Sequence, residues 1–144
     1  MLATAEPVLK APVSFAGIHE ATSRLVNTFM DKATRNKSFF VNEIPCDLLI
    51  DTDPELFASV LGGILCAVAS SAKNSCIRLT VKIFGDVILV QVKESNGLNS
   101  YYMDIELQKL LPIAEKMRGS VSVTSQRKKI TTITFGFPNV PLKY

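Results

Sequence analysis

The stretch DPELFASVLGGILCAVASSAK, Asp53 to Lys73, holds no charged residue between Glu55 and Lys73. Three readings compete for it: a membrane span, a buried core helix, or the wall of a binding site from which polar groups are missing. Its start is a helix signal. Asp53 can accept hydrogen bonds from free amides, Pro54 suits the first helical position, and Glu55 favours the positive end of the helix dipole. Leu56, Val60, Ile64 and Val68 then form one stripe with Leu61 and Leu65 beside it. Ser59, Gly63, Cys66, Ala67 and Ser70 occupy other faces, which are small where a surface helix would be charged, and so are expected to meet something other than bulk water. As a membrane span the run is at the lower limit of about 17–25 residues, and its glycines and serines dilute it. A helix that does not span a membrane is the expected outcome, its small-residue faces open to the binding-site reading.

The rest of the chain bounds that reading. Its 144 residues and 15.8 kDa suit one domain, with 47% apolar and 20% charged residues and a mean hydropathy of +0.24. That composition is well away from the disordered range. The net charge of +3 is mild, and the one basic run, Arg127-Lys128-Lys129, has no interleaved aromatics, so no nucleic-acid partner is expected. Cys46, Cys66 and Cys76 form no CxxC pair. They are expected to be reduced core thiols in a cytoplasmic protein, without a disulfide or metal site. Glu6 and two prolines interrupt the N-terminus where a signal peptide needs an apolar run.

Residues 1–14 show no periodicity and read as a flexible lead-in to one domain over 15–144. Ile18, Ala21, Leu25, Phe29 and Ala33 predict an amphipathic helix to about Thr34. Ser38 to Ile44 predicts a strand, and Leu48-Leu49-Ile50 a short second one. IRLTVKIF (77–84) and VILVQVK (87–93) alternate around Gly85-Asp86, which predicts a β-hairpin. ESNGLNSYY (94–102) reads as a loop. Asp104 to Arg118 is helical again, with Pro112 a break or restart and Gly119 its stop. Ser120 to Thr124 and Ile130 to Phe137 predict a second hairpin around Ser125 to Lys129. Together these elements predict an α+β fold: a two-layer α/β sandwich with a mixed, mostly antiparallel sheet and helices on one face.

In order and in local text the chain resembles the ATP-binding domain shared by histidine kinases, gyrase-type topoisomerases, ninety-kilodalton heat-shock chaperones and MutL, the GHKL or Bergerat-fold superfamily. The resemblance rests on IDTDPELFASVLGGILCAVASSAK, similar to the strand and N-box helix; on IRLTVKIFGDVILVQVKESNG, similar to the hairpin and adenine loop; and on LPIAEKMRGSVSVTS with ITTITFGFP, similar to the last helix and hairpin. It implies a site in which an N-box asparagine ligates the magnesium that bridges the ATP phosphates. An Asp-x-Gly loop accepts from the adenine amine, and a glycine-rich lid wraps the phosphates.

This sequence departs from that pattern at each place. Gly63 and Ala67 stand where the asparagines lie, with Ser70 at the usual lysine and Ser71 beside it. Glu94 matches the adenine aspartate, followed by Ser95 and by Asn96 or Gly97 at the glycine. The resemblance makes these residues a vestigial nucleotide pocket, whereas by composition alone Glu94 to Gly97 read as a solvated loop. No GxGLGL-type text precedes the last helix, and Tyr101, Tyr102 and Met103 stand where the lid would be, packing plainly at a helix entrance, plugging the pocket or contacting a partner. Loss of metal ligand and lid removes several contacts of about 1.5–3 kcal/mol each to the phosphates.

A non-catalytic binding or scaffold module in bacterial two-component-type signalling is therefore expected, with no cofactor, no metal and no membrane. Its partner would be a response regulator, a phosphotransfer protein or a second copy. A divergent ATP-binding kinase or anti-sigma-factor-like domain, using ATP and Mg with Glu94, is the alternative. Histidine phosphotransfer through His19, which Glu20 follows, is a weaker one, since His19 reads first as an exposed residue at a helix start.

Overall fold

The computed structural model describes residues 17–48, 52–126 and 129–139. In chain order the elements are α1 (Ile18–Arg35), β1 (Phe39–Asn42), α2 (Pro54–Ser71), β2 (Cys76–Phe84), β3 (Val87–Glu94), α3 (Ser100–Gln108), α4 (Leu111–Lys116), β4 (Ser120–Gln126) and β5 (Ile130–Pro138). The strands form one sheet in the order β1-β2-β3-β5-β4. Only the β1–β2 pair is parallel. Burial alternates along the strands: Ile88, Val90, Val92 and Glu94 of β3, with Thr131, Ile133, Phe135 and Phe137 of β5, face a covered side. The predicted α+β sandwich, its mixed sheet covered on one face, is the observed one.

At the centre is α2. It starts as its sequence requires, with the Asp53 carboxylate accepting from the N–H groups of Glu55 and Leu56 at 2.9 and 3.2 Å. By length and composition alone α2 could cross a membrane. Here it is the core helix, with Val60, Leu61, Ile64, Leu65 and Val68 fully buried, each contributing about 1.5–3 kcal/mol. Leu56 is only half-buried, while Phe57, off the predicted stripe, packs with Phe135 and Phe137 at ring separations of 6.0 and 5.8 Å. The stripe widens because α2 has neighbours on several sides. Besides the core cluster it shares with the sheet, a Cβ on Gly62 would lie 3.5 Å from Leu25 of α1, and Gly63 faces Leu110 between α3 and α4.

Elsewhere the structure trims or extends what the sequence suggests. The strand expected over Ser38 to Ile44 is only Phe39–Asn42. The buried Ser38 hydroxyl instead donates to the Ala72 carbonyl and accepts from the Ser75 N–H, tying the start of β1 to the end of α2. The flexible lead-in expected over 1–14, and Leu49 and Ile50 of the short second strand, lie outside the described residues. Pro112 restarts a helix: α3 ends at Gln108 and α4 begins at Leu111. Gly119 follows Arg118, whose φ is 58°, and is needed for closeness, since a Cβ there would lie 2.6 Å from the Gly136 carbonyl oxygen.

Two expectations fail. The cysteines are free, as read, but not buried: Cys46 is exposed, and Cys66 and Cys76 are half-buried. The loop over 94–102 is much shorter. Glu94 closes β3 and α3 starts at Ser100, because Asn99 caps it, its side-chain oxygen accepting from the Tyr102 N–H at 3.1 Å.

Candidate nucleotide-facing site

On α2 the residues at the asparagine positions of the resemblance are Gly63 and Ala67. Neither side chain carries an oxygen, so neither can ligate magnesium, which takes hard oxygen ligands. The space is also used. A Cβ on Gly63 would meet Leu110 Cδ2 at 2.5 Å, and Ala67 is 7% exposed within the cluster that holds Met103 and Leu107. A longer side chain at position 63 would have to displace Leu110. One turn on, the exposed Ser70 donates to its own helix, at the Cys66 carbonyl, 2.8 Å away, while Ser71 is half-buried.

Glu94 is the surprise. It is 1% exposed, between Ile77 of β2 and Thr131 of β5 in register. Ser75 donates to Oε2, and Oε1 has no partner among the described residues. The Ser75 hydroxyl also lies 3.0 Å from the Lys73 carbonyl, and its single proton can serve only one acceptor at a time. Ser95 and Asn96 are exposed but pinned: Ser95 Oγ accepts from the Cys76 N–H at 3.1 Å and Asn96 donates to the Lys73 carbonyl at 3.0 Å. Of the two candidates for the glycine position, Gly97 is the one with positive φ, at 80°. It turns the chain inward, so that Leu98 is buried and donates its N–H to Thr131 Oγ1 at 2.9 Å. The solvated-loop reading of 94–97 is therefore wrong at Glu94, whose alternation with Ile88, Val90 and Val92 continues the covered face of β3.

The aromatic-Met run splits. Met103 is fully buried, whereas Tyr101 and Tyr102, in the first turn of α3, are exposed, as is Ile105. So α3 both packs towards the core through Met103 and shows two tyrosines outside. Sequence reasoning missed Leu110 and Ser75. Leu110 carried no signal of its role, since its contact with Gly63 depends on where Pro112 restarts the helix. Ser75 precedes β2 in a polar connection that reads as exposed. His19 is half-buried instead of exposed: its Nδ1 donates to the Ile44 carbonyl at 2.6 Å, which fixes the tautomer and leaves Nε2 as the other ring nitrogen. No cluster of three or more His, Cys, Asp or Glu residues able to hold a metal occurs among the described residues. A hydrogen bond to Cys76, followed by the charge of Glu43, raises Arg78 above its ordinary value.

No protein-family model matches the sequence, and no curated protein does. Solved structures do match. The nucleotide-free catalytic domain of histidine kinase ThkA superposes with a TM-score of 0.73 at 16% identity, over 88% of this chain and 96% of that one. Histidine kinase AdeS of Acinetobacter baumannii gives 0.74 at 10% identity, over 87% of this chain. Full-length ShkA in complex with AMPPNP gives 0.69 at 12%, over 90%. The chain spans 66% of the AdeS chain and 32% of the ShkA chain. Identities this low speak to architecture alone: the chain has the histidine-kinase-like ATPase fold.

Proposed function

We propose that this chain is a non-catalytic histidine-kinase-like domain, a binding or scaffold module in bacterial two-component-type signalling. The observation that carries the reading is the contact of Leu110 with Gly63. Leu110 lies against Gly63, on the side of α2 that faces nucleotide in the resembled family, and Met103 and Leu107 belong to the same core cluster as α2. Without an oxygen at Ala67 and with that space filled, no magnesium-bridged triphosphate is expected as cofactor. The domain then works by contact with a response regulator, a phosphotransfer protein or a second copy, in the cytoplasm, with neither membrane nor nucleic acid as partner.

A second reading has one observation in its favour. Oε1 of buried Glu94, without a partner among the described residues, matches the family's adenine acceptor in the resemblance, which suits a divergent ATP-binding kinase or anti-sigma-factor-like domain. Phosphotransfer through His19, which Glu20 follows, is the third, with Nε2 as the ring nitrogen not bonded to Ile44.

Incubation with γ-phosphate-labelled Mg-ATP, and separately with labelled acetyl phosphate, tests the three. Neither ADP release nor protein label is expected. ADP release that Glu94→Ala abolishes supports the second reading, and a label from acetyl phosphate that His19→Ala removes supports the third. Either outcome contradicts the first.

A further inference from the structure

Side chains that alternate with the core-facing ones stand on the other side of the sheet. Register fixes what is there: Arg78, Lys82 and Phe84 of β2 lie beside Lys93, Leu89 and Val87 of β3, and Leu89 lies beside Gly136 of β5. Glu94, the one acidic residue within the strands, is on the covered side, so every charge that the strands project from this second face is basic. Arg78 and Lys93 are directly opposite each other, which is unfavourable for like charges. Glu43 reaches Arg78 at 3.6 Å, while Lys82 and Lys93 take part in no ion pair among the described residues.

The face has a cationic end and an apolar one. Near the β2–β3 turn, Val87, Leu89, Gly136 and Pro138 line a recess of about 250 Å³, with Arg118 and Ser120 on its wall. Phe84 and Val87 are 61% and 42% exposed there. Gly136 makes the room, since a Cβ on it would lie 2.8 Å from Leu89 Cδ2. Lys82, in register with Leu89, and Arg118, just before β4, are both exposed and outside any ion pair among the described residues, so the apolar hollow stands between two cations. From Leu89 to Lys93 the strand runs about 13 Å at ~3.3 Å per residue, the length of about nine residues of helix at ~1.5 Å each.

A ligand for this surface needs an apolar group flanked by carboxylates, with a further carboxylate about nine helical residues away. The face of a sheet is covered by a helix or by another sheet, whereas an extended segment pairs at an edge. A second copy laid face to face would set Arg78, Lys82 and Lys93 against charges of their own sign whatever its rotation, which is costly. Single-stranded nucleic acid would need aromatic side chains to stack on among the basic ones, and β3, in the middle of the sheet, has none. We propose that this face docks an acidic amphipathic helix of a partner protein: one apolar side chain in the recess, carboxylates beside it to Lys82 and Arg118, and another two to three turns along to Lys93 and Arg78. This gives the contact role proposed above a surface. Because the face lies across the sheet from α2, it stands or falls independently of nucleotide binding.

The test uses the full chain and a labelled Ala-rich helical peptide with one Leu flanked by Glu residues on the same helix face and a Glu pair nine residues on. It is read by fluorescence anisotropy at low and high salt and by amide NMR. Expected are binding that weakens with salt and shift changes centred on Val87, Leu89, Gln91 and Gly136, with α2 unmoved. Replacing the peptide's Leu by Ala, replacing its Glu residues by Lys, and the Lys82→Glu, Arg118→Glu double variant of the protein should each lower the affinity about tenfold or more. The altered peptides leave the protein untouched, so the answer does not depend on how the variant folds. Equal binding of the Lys peptide, undiminished binding of the Ala peptide, or shift changes centred elsewhere overturns the proposal. So does tighter binding of a single-stranded oligonucleotide of equal charge, or a self-association that the double variant changes. No binding at millimolar peptide, the outcome expected if another part of this chain holds the face, overturns it as well.

Discussion

A Cβ on Gly119 would lie 2.6 Å from the backbone carbonyl oxygen of Gly136, whereas one on Gly63 would meet only the tip of a leucine at 2.5 Å. Backbone held in a ladder cannot step aside, but a half-buried leucine can change rotamer. Gly119→Ala is expected to cost about 2–3 kcal/mol or more by urea denaturation. At Gly63→Ala the overpacking, about 1–3 kcal/mol, is offset by about 1 kcal/mol of helix propensity, leaving a loss near 1 kcal/mol. Equal losses at the two sites would mean that Leu110 is held as rigidly as the sheet. Glu94 poses the complementary problem of an ionisable group buried with one oxygen that has no partner among the described residues. Glu94→Gln keeps the shape and an acceptor for Ser75 while removing that group, so a gain of about 1–2 kcal/mol, seen as a higher Tm at neutral pH, is expected. A loss of that size would show that the carboxylate has a partner beyond Ser75.

Elements whose cause is local are the ones legible in the sequence. Asp53-Pro54-Glu55 starts α2 through a cap that needs no tertiary contact, so Asp53→Ala should cost about 1 kcal/mol in chemical denaturation and Asp53→Asn much less. An unchanged midpoint in Asp53→Ala would place the start of α2 under tertiary control. The β2–β3 hairpin is equally local: Gly85 takes φ 58° between two alternating runs. The start of α3 was local too, in Asn99, but a run of Ser, Asn and Gly hides one capping asparagine among loop formers. Long-range causes were not legible. Glu94 looks like the first residue of a polar loop until its pairing with Thr131 is known, and Phe57 looks off-stripe until Phe135 and Phe137 are placed beside it.

For the whole molecule, the fold is that of histidine kinase catalytic domains, at identities of 10–16%, with strand order β1-β2-β3-β5-β4 and α2 in the core. Patterning and turn chemistry are enough to specify such an architecture, while a site depends on a few side chains that can change without disturbing it. Here Leu110 lies against Gly63 of α2, and Met103 and Leu107 belong to the core cluster that α2 shares. Two lost phosphate or metal contacts of about 2 kcal/mol each move a micromolar ligand to about millimolar. Isothermal titration of the full chain with Mg-ATP is therefore the most direct measurement: the account predicts a flat isotherm through the micromolar range, and a saturable one with micromolar Kd would contradict it.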